Sequence, residues 1–178
     1  MFEKGSLLNL LTYELSSKGV IRELMEDINN WDSILVDYHP PFVERIHCKV
    51  GKYRISLHYI HACEISEALL HPHPWKSAFI VLDGLYRTGI GYSNTEEVPN
   101  IMSESVCRGN GEFLYDMSDP NLWHYVAPIT PVMTVMINDE VFEPDVINPA
   151  CKKADKELLP LSEERKKELF EQFKKYLY

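Results

Sequence analysis

The chain has 178 residues, 27 of them acidic and 18 basic, for a formal net charge of −9 and an apolar fraction of 45%. That length builds one domain with its own core, and that apolar share excludes a disordered chain. The acidic balance argues against a general nucleic-acid binder, which carries a basic face, and against docking on anionic membrane surfaces.

The cysteines, Cys48, Cys63, Cys107 and Cys151, form no Cys-x-x-Cys pair, so neither a zinc ribbon nor a thioredoxin-type motif is expected. Met1-Phe2-Glu3-Lys4-Gly5 and the leucines after it lack the basic flank and long apolar stretch of a signal peptide. No apolar run approaches the roughly 20 residues of a membrane span. The expectation is a cytoplasmic protein with reduced thiols.

In chain order, residues 1–41 read as a helical N-terminal segment. A short helix is predicted from Leu7 to Leu15. Val20, Ile21, Leu24, Met25 and Ile28 repeat at helical spacing, with Arg22, Glu23, Glu26 and Asp27 on the other face. His39-Pro40-Pro41 breaks this regime.

Residues 42–138 read as strands. Val43 to Val50 and Tyr53 to Cys63 flank Gly51-Lys52, and Trp75 to Leu82 and Leu85 to Tyr92 flank Asp83-Gly84. Both junctions predict tight hairpins, because glycine and Asp-Gly supply positive φ. Ser93 to Asn110 is polar and irregular, ending at Gly109 and Gly111. Gly89-Ile90-Gly91 reads as a twisted strand or bulge. Glu112 to Tyr115, Trp123 to Ala127 and Val132 to Asn138 complete the set, with a turn at Ser118-Asp119-Pro120-Asn121. Many short strands with frequent turns imply a sandwich or small barrel.

Residues 139–178 hold a linker with Pro144 and Pro149, then a helix. Ser162 is a suitable N-cap, Glu163 and Glu164 suit the first turn, and Lys174 and Lys175 suit the last. Leu169, Phe170, Phe173 and Leu177 make an apolar stripe that would brace the β core.

Chemistry concentrates at His71-Pro72-His73, just before the apolar run Ala78 to Leu82. Alternation along a strand would aim both histidines at one face, where two imidazoles can bind one divalent metal. His124 lies in a second β-like segment and could close the site.

These residues resemble the two-part motif of the cupin superfamily, small β-barrels whose first motif has paired histidines, then an acid, then a glycine. His71 and His73 match the pair and Gly84 the glycine, while Ser77 stands at the acid position. The second motif contributes one histidine after a Pro/Gly turn. Asp119-Pro120-Asn121-Leu122-Trp123-His124 resembles it, with Asn121 for the usual glycine. His-Pro-His-Pro-Trp followed by Gly84-Leu85-Tyr86 also looks like a group of single-domain cupins. The resemblance covers roughly residues 42 to 138. It implies a mainly β, jelly-roll cupin barrel with N-terminal helices and a C-terminal helix, forming one domain over residues 1–178. Homodimerisation through β-strands follows by fold analogy.

Neutral imidazoles suit iron, zinc, copper or nickel. With Ser77 in place of the acid, the resemblance implies a neutral site of His71, His73 and His124, with ferrous iron favoured over zinc, nickel or manganese. The implied function is a metal-dependent enzyme acting on a small molecule, foremost a non-haem iron dioxygenase. Tyr86 would transfer protons, and Trp75, Ser77 and Tyr92 would line the substrate. A non-catalytic small-molecule binder and a cupin isomerase or epimerase are the alternatives.

Weaker candidates have plainer explanations. His58 and His61 sit on opposite faces of one strand, so at most one faces inward, and Glu64 and Glu67 read as solvated. Cys107 reads as a small buried apolar residue, and tyrosines in a barrel wall most often just pack there. No Gly-x-Ser-x-Gly elbow, phosphate loop or dinucleotide fingerprint is present.

Overall fold

Alternation of apolar and polar residues becomes strand wherever a partner can satisfy the backbone. A computed structural model describes residues 7–14, 19–109, 113–141, 148–151 and 157–177. Its strands are β1 Asp32–Val36, β2 Val43–Val50, β3 Tyr53–Ile60, β4 His71–Pro72, β5 Trp75–Asp83, β6 Leu85–Tyr92, β7 Ile101–Arg108, β8 Phe113–Met117, β9 Leu122–Pro128 and β10 Val132–Val141. Its α-helices are α1 Leu7–Glu14, α2 Val20–Leu24 and α3 Glu163–Leu177. The strands form a six-stranded sheet, β1-β2-β3-β10-β5-β8, and a four-stranded sheet, β4-β9-β6-β7. Every pairing is antiparallel.

The large sheet is buried on both faces. Ile46, Cys48, Ile55, Leu57, Val135 and Ile137 point to one side, where they cluster with Leu11, Ile21, Met25 and Trp31 and with the α3 stripe. On the other side Ile60, Val81 and Val132 meet Tyr86 and Cys107 of the small sheet. Phe79, Met136 and Met117 form a further cluster there with Leu122. The layers are therefore helices, large sheet, small sheet, and the helix-facing side holds most of the apolar core.

The α3 stripe Leu169, Phe170, Phe173 and Leu177 is buried as its spacing predicts. The Arg165 amide donates to Ser162 Oγ at 3.1 Å, which makes Ser162 the cap. The Arg165 guanidinium then grips Glu44 of β2 through Nε at 2.8 Å and a terminal nitrogen at 2.7 Å.

Four features differ from the sequence reading. Asp83-Gly84 is no hairpin, because β5 belongs to the large sheet and β6 to the small one. Gly84 does take a positive φ of 95°, but its backbone is pressed against Pro131 and Val132, and the chain there crosses between sheets. The stretch expected to be irregular, Ser93 to Asn110, contains β7, whose ladder with β6 supports a polar sequence. The N-terminal segment ends in β1, which pairs along β2 from Asp32↔His47 to Val36↔Val43. The second helix stops at Leu24 and resumes only as a 3₁₀ turn at Ile28–Asn30, capped by Asp27.

Other expectations hold. Gly51, with φ 60°, turns β2 into β3, and the β6 ladder shifts register between Ile90 and Gly91. Asp119 Oδ1 accepts from the Asn121 amide at 2.9 Å in the expected turn. Met1 to Gly5, Leu15, Asn110, Gly111, Glu112 and Pro144 lie outside the described residues.

Candidate metal centre

His71 and His124 are direct register partners across β4 and β9. His73 lies in neither sheet but in the short link carrying the chain from β4 to β5. Alternation along a single strand is therefore not what aligns the pair; the crossing between sheets brings His73 beside the other two. Pro72 and Pro74 suit this path. Proline cannot donate to a ladder, and β4 is an edge strand that ends where the crossing begins.

The ligand atoms of His71, His73 and His124 all lie within 4.8 Å of one another. His73 Nε2 and His124 Nε2 are 2.8 Å apart. Two imidazole nitrogens bound at right angles to one ion at about 2.1 Å would stand about 3 Å apart, so this spacing suits a shared metal. His71 Nδ1 is 3.0 Å from the Leu69 carbonyl oxygen. A carbonyl only accepts, so Nδ1 carries the proton and Nε2 keeps its lone pair for an ion. Phe79 packs at 6.0 Å between ring centroids from both His73 and His124, and Trp75 at 6.1 Å from His73.

Electrostatics keep the cluster neutral. Burial, and then the nearness of His71, pull the His124 pKa down to about 3. Burial also holds His73 well below the usual histidine value, reinforced by His124, His71, Arg45 and His58. His71 is lowered by burial and by His39, against the raising effect of its bond to Leu69. Neutral imidazoles present lone pairs, the form a metal requires. Among the described residues no carboxylate joins the cluster, so a bound ion would keep its full charge toward a substrate.

The other sequence candidates scatter. Trp75 stands against His73, and Ser77 is fully buried on β5, its hydroxyl 3.4 Å from the Trp75 carbonyl. Tyr92 is 50% exposed at the end of β6, where Asn121 Nδ2 donates to its hydroxyl at 3.5 Å. Tyr86 is 1% exposed in the apolar cluster with Cys107. Its register partner Pro128 is four residues beyond His124 on β9, about 13 Å along the strand. His58 faces inward but bonds Thr134 Oγ1 at 3.3 Å, and His61 bonds Glu44 at 3.3 Å. Glu64 and Glu67 cap each other in an exposed 3₁₀ turn.

Sequence reasoning missed His39, whose ring lies 6.2 Å from that of His71. It also missed Arg45 and His47 on β2. The available signal was Arg45-x-His47, polar residues alternating with the apolar Ile46 and Cys48.

No family model matches the chain. No curated protein matches it. Hydroxypropylphosphonic acid epoxidase from S. wedmorenis is similar in structure, with a TM-score of 0.49 and 11% identity over 63% of this chain and 56% of its own. The chain thus spans about half the length of that enzyme. Streptomyces albus HEPD, with 2-hydroxyethylphosphonate and Fe(II) bound, is similar with a TM-score of 0.43 and 10% identity over 58% of this chain and 23% of its own. An RmlC-like cupin from Shewanella frigidimarina NCIMB 400 has a TM-score of 0.44 and 12% identity over 63% of this chain and 87% of its own. No helix among the described residues is long and apolar enough to cross a membrane. Two antiparallel sheets face to face, a C-terminal helix and a three-histidine cluster make this chain a mainly β sandwich with a candidate metal centre.

Proposed function

We propose that His71, His73 and His124 hold one divalent metal ion, ferrous iron foremost, and that the protein is a metal-dependent enzyme of the non-haem iron dioxygenase kind acting on a small molecule. The observation that carries this reading is the convergence of three neutral imidazoles, with all ligand atoms within 4.8 Å. Three nitrogen donors suit iron, zinc, copper or nickel and leave coordination positions open. A metal bound there would act as a Lewis acid and a meeting point for dioxygen and substrate. The chain's own residues supply the rest. The Leu69 carbonyl orients His71. Phe79 and Trp75 pack against the cluster as an apolar wall on one side. Trp75 would also lie along a bound substrate. Pairing of two copies through exposed strand edges belongs to the same proposal.

A second reading is a small-molecule binder without catalysis. The observation favouring it is the His73–His124 contact of 2.8 Å, which can pair the two Nε2 atoms as a hydrogen bond without any ion.

Elemental mass spectrometry on protein purified without a histidine tag or chelator separates metal from no metal. We expect an equimolar amount of metal, and its loss in His73→Ala with far-UV circular dichroism unchanged. An absence of metal even after anaerobic reconstitution with ferrous iron, or full occupancy in His73→Ala, refutes the centre. Dioxygen consumption by the iron-loaded protein against thiols, diketones and phenols then separates an enzyme from a binder.

A further inference from the structure

A second polar patch lies on the inward face of the large sheet. Its register is contiguous: Arg45↔His58 and His47↔Ser56 across β2 and β3, then His58↔Thr134, Ser56↔Met136 and Arg54↔Asn138 across β3 and β10. Directly opposed residues share a face, so these side chains line one wall. Met136 is also opposite Phe79, which touches His73 and His124, so the wall is the one the triad faces.

This wall is buried without being satisfied. Ser56 is 0% exposed, and His58 and Asn138 are each 5% exposed. Arg45 Nε, His47 Nδ1, Ser56 Oγ, His58 Nε2 and both amide atoms of Asn138 are buried with no hydrogen-bond partner. Leaving such groups unpaired in the interior is costly, so this many together on one wall point to a ligand. His58 Nδ1 already has the Thr134 hydroxyl at 3.3 Å. When that hydroxyl donates, Nε2 carries the imidazole proton and is a donor.

The charge of the missing partner follows from the lining. Among the described residues Arg45 has no carboxylate partner, and Arg54 adds a second positive charge near it. Burial, with Arg54 beside it, pulls the Arg45 pKa down to about 10, which still leaves the guanidinium charged at neutral pH. Asp32 lies opposite His47 on the edge strand β1 and is exposed to solvent. A guanidinium beside neutral hydroxyl, imidazole and amide donors suits an anion with two oxygens on one carbon, which it can hold through paired N–H bonds.

We infer that this wall binds the carboxylate of a small organic acid, with Arg45 as the charged partner and Ser56, His58 and Asn138 as hydrogen-bonding partners. Its extension, that the other end of the acid faces the triad, rests on the metal-centre reading above. Phe79 and Ser56 are two strand spacings apart, about 10 Å, which sets the scale of the molecule.

Ligand-observed NMR titration of the metal-free full chain tests this, with propionate, butyrate and hexanoate, their primary amides, and inorganic phosphate as probes. The carboxylates should bind saturably and the amides should not. Arg45→Met should weaken carboxylate binding about tenfold or more while the protein stays folded. Ser56→Val, which keeps the charge and removes one donor, should weaken it several-fold and serves if Arg45→Met does not fold. Amides binding as well as acids, phosphate binding in preference, or both variants binding like the parent would overturn the inference. Metal analysis and acid titration of the parent chain, reconstituted with ferrous iron, separate the two readings. Acid binding retained in protein that never takes up metal leaves the wall standing and the metal centre refuted. Metal uptake with no preference for carboxylates does the reverse.

Discussion

Acidification of the metal-free protein should weaken the fold well above the pH at which carboxylates titrate. His124 has its pKa pulled down to about 3 in the folded chain, against about 6.5 when unfolded. The folded state therefore binds fewer protons than the unfolded state between these values. The stabilisation is complete above about pH 6.5 and is lost as pH falls toward about 3. At about pH 5 the unfolded imidazole is almost fully protonated and the folded one is not. The linkage cost for this single group is then about 2 kcal/mol. His58 and His73, both held well below the ordinary value, and His47 and His71, lowered less, act in the same direction. With a urea dependence of about 2 kcal/mol per molar, the unfolding midpoint should drop by at least about 1 M between pH 7.5 and pH 5. Tryptophan fluorescence in urea reads this, and the same titration on His124→Gln should show a shallower loss. A midpoint that stays constant or rises over this window would mean that these imidazoles are not buried neutral, and the account of the triad would fail with it.

Three further substitutions test the scaffold. Gly84→Ala places a Cβ against the Pro131 carbonyl and 2.8 Å from Val132 Cα, at a φ of 95°, so it should cost about 2–4 kcal/mol in urea unfolding. A cost near zero would contradict the close crossing between sheets. Phe173→Ala empties a site with 0% exposure in the helix-facing core and should cost about 3–5 kcal/mol, whereas Ser162→Ala, removing only the cap, should cost about 1 kcal/mol. Equal, small effects from both would show that α3 is not part of the core.

Much of the fold was legible because its signals are local. The α3 stripe, the Ser162 cap, the Gly51 turn and the Asp119 turn each depend on residues within a few positions of one another. The strands that were missed, β1 and β7, owe their existence to partners. Ile101-Met102-Ser103-Glu104-Ser105-Val106 is nearly all exposed and becomes a strand because β6 offers a ladder. The Asp83-Gly84 hairpin failed for the same reason. Local turn chemistry permits a hairpin, but β5 found β10 and β8 while β6 found β9 and β7.

For the candidate site, the sequence by itself determined the ligand types. The His71/His73 spacing, the Pro72 and Pro74 stiffening and the serine at position 77 are read directly from it. It could not decide how the third histidine arrives, since His124 meets His71 only through a pairing of β4 with β9 across more than fifty intervening residues. Nor could it decide which face of β2 and β3 is the inside of the sandwich. Alternation identifies two faces and not their neighbours. The apolar face, Ile46, Cys48, Ile55 and Leu57, resembles a sandwich interior, yet it packs under the helices. That leaves Arg45, His47, Ser56 and His58 to line the space between the sheets. Tertiary structure decided this because burying the helices' apolar faces claims one side of the large sheet, and the polar side is left facing the triad.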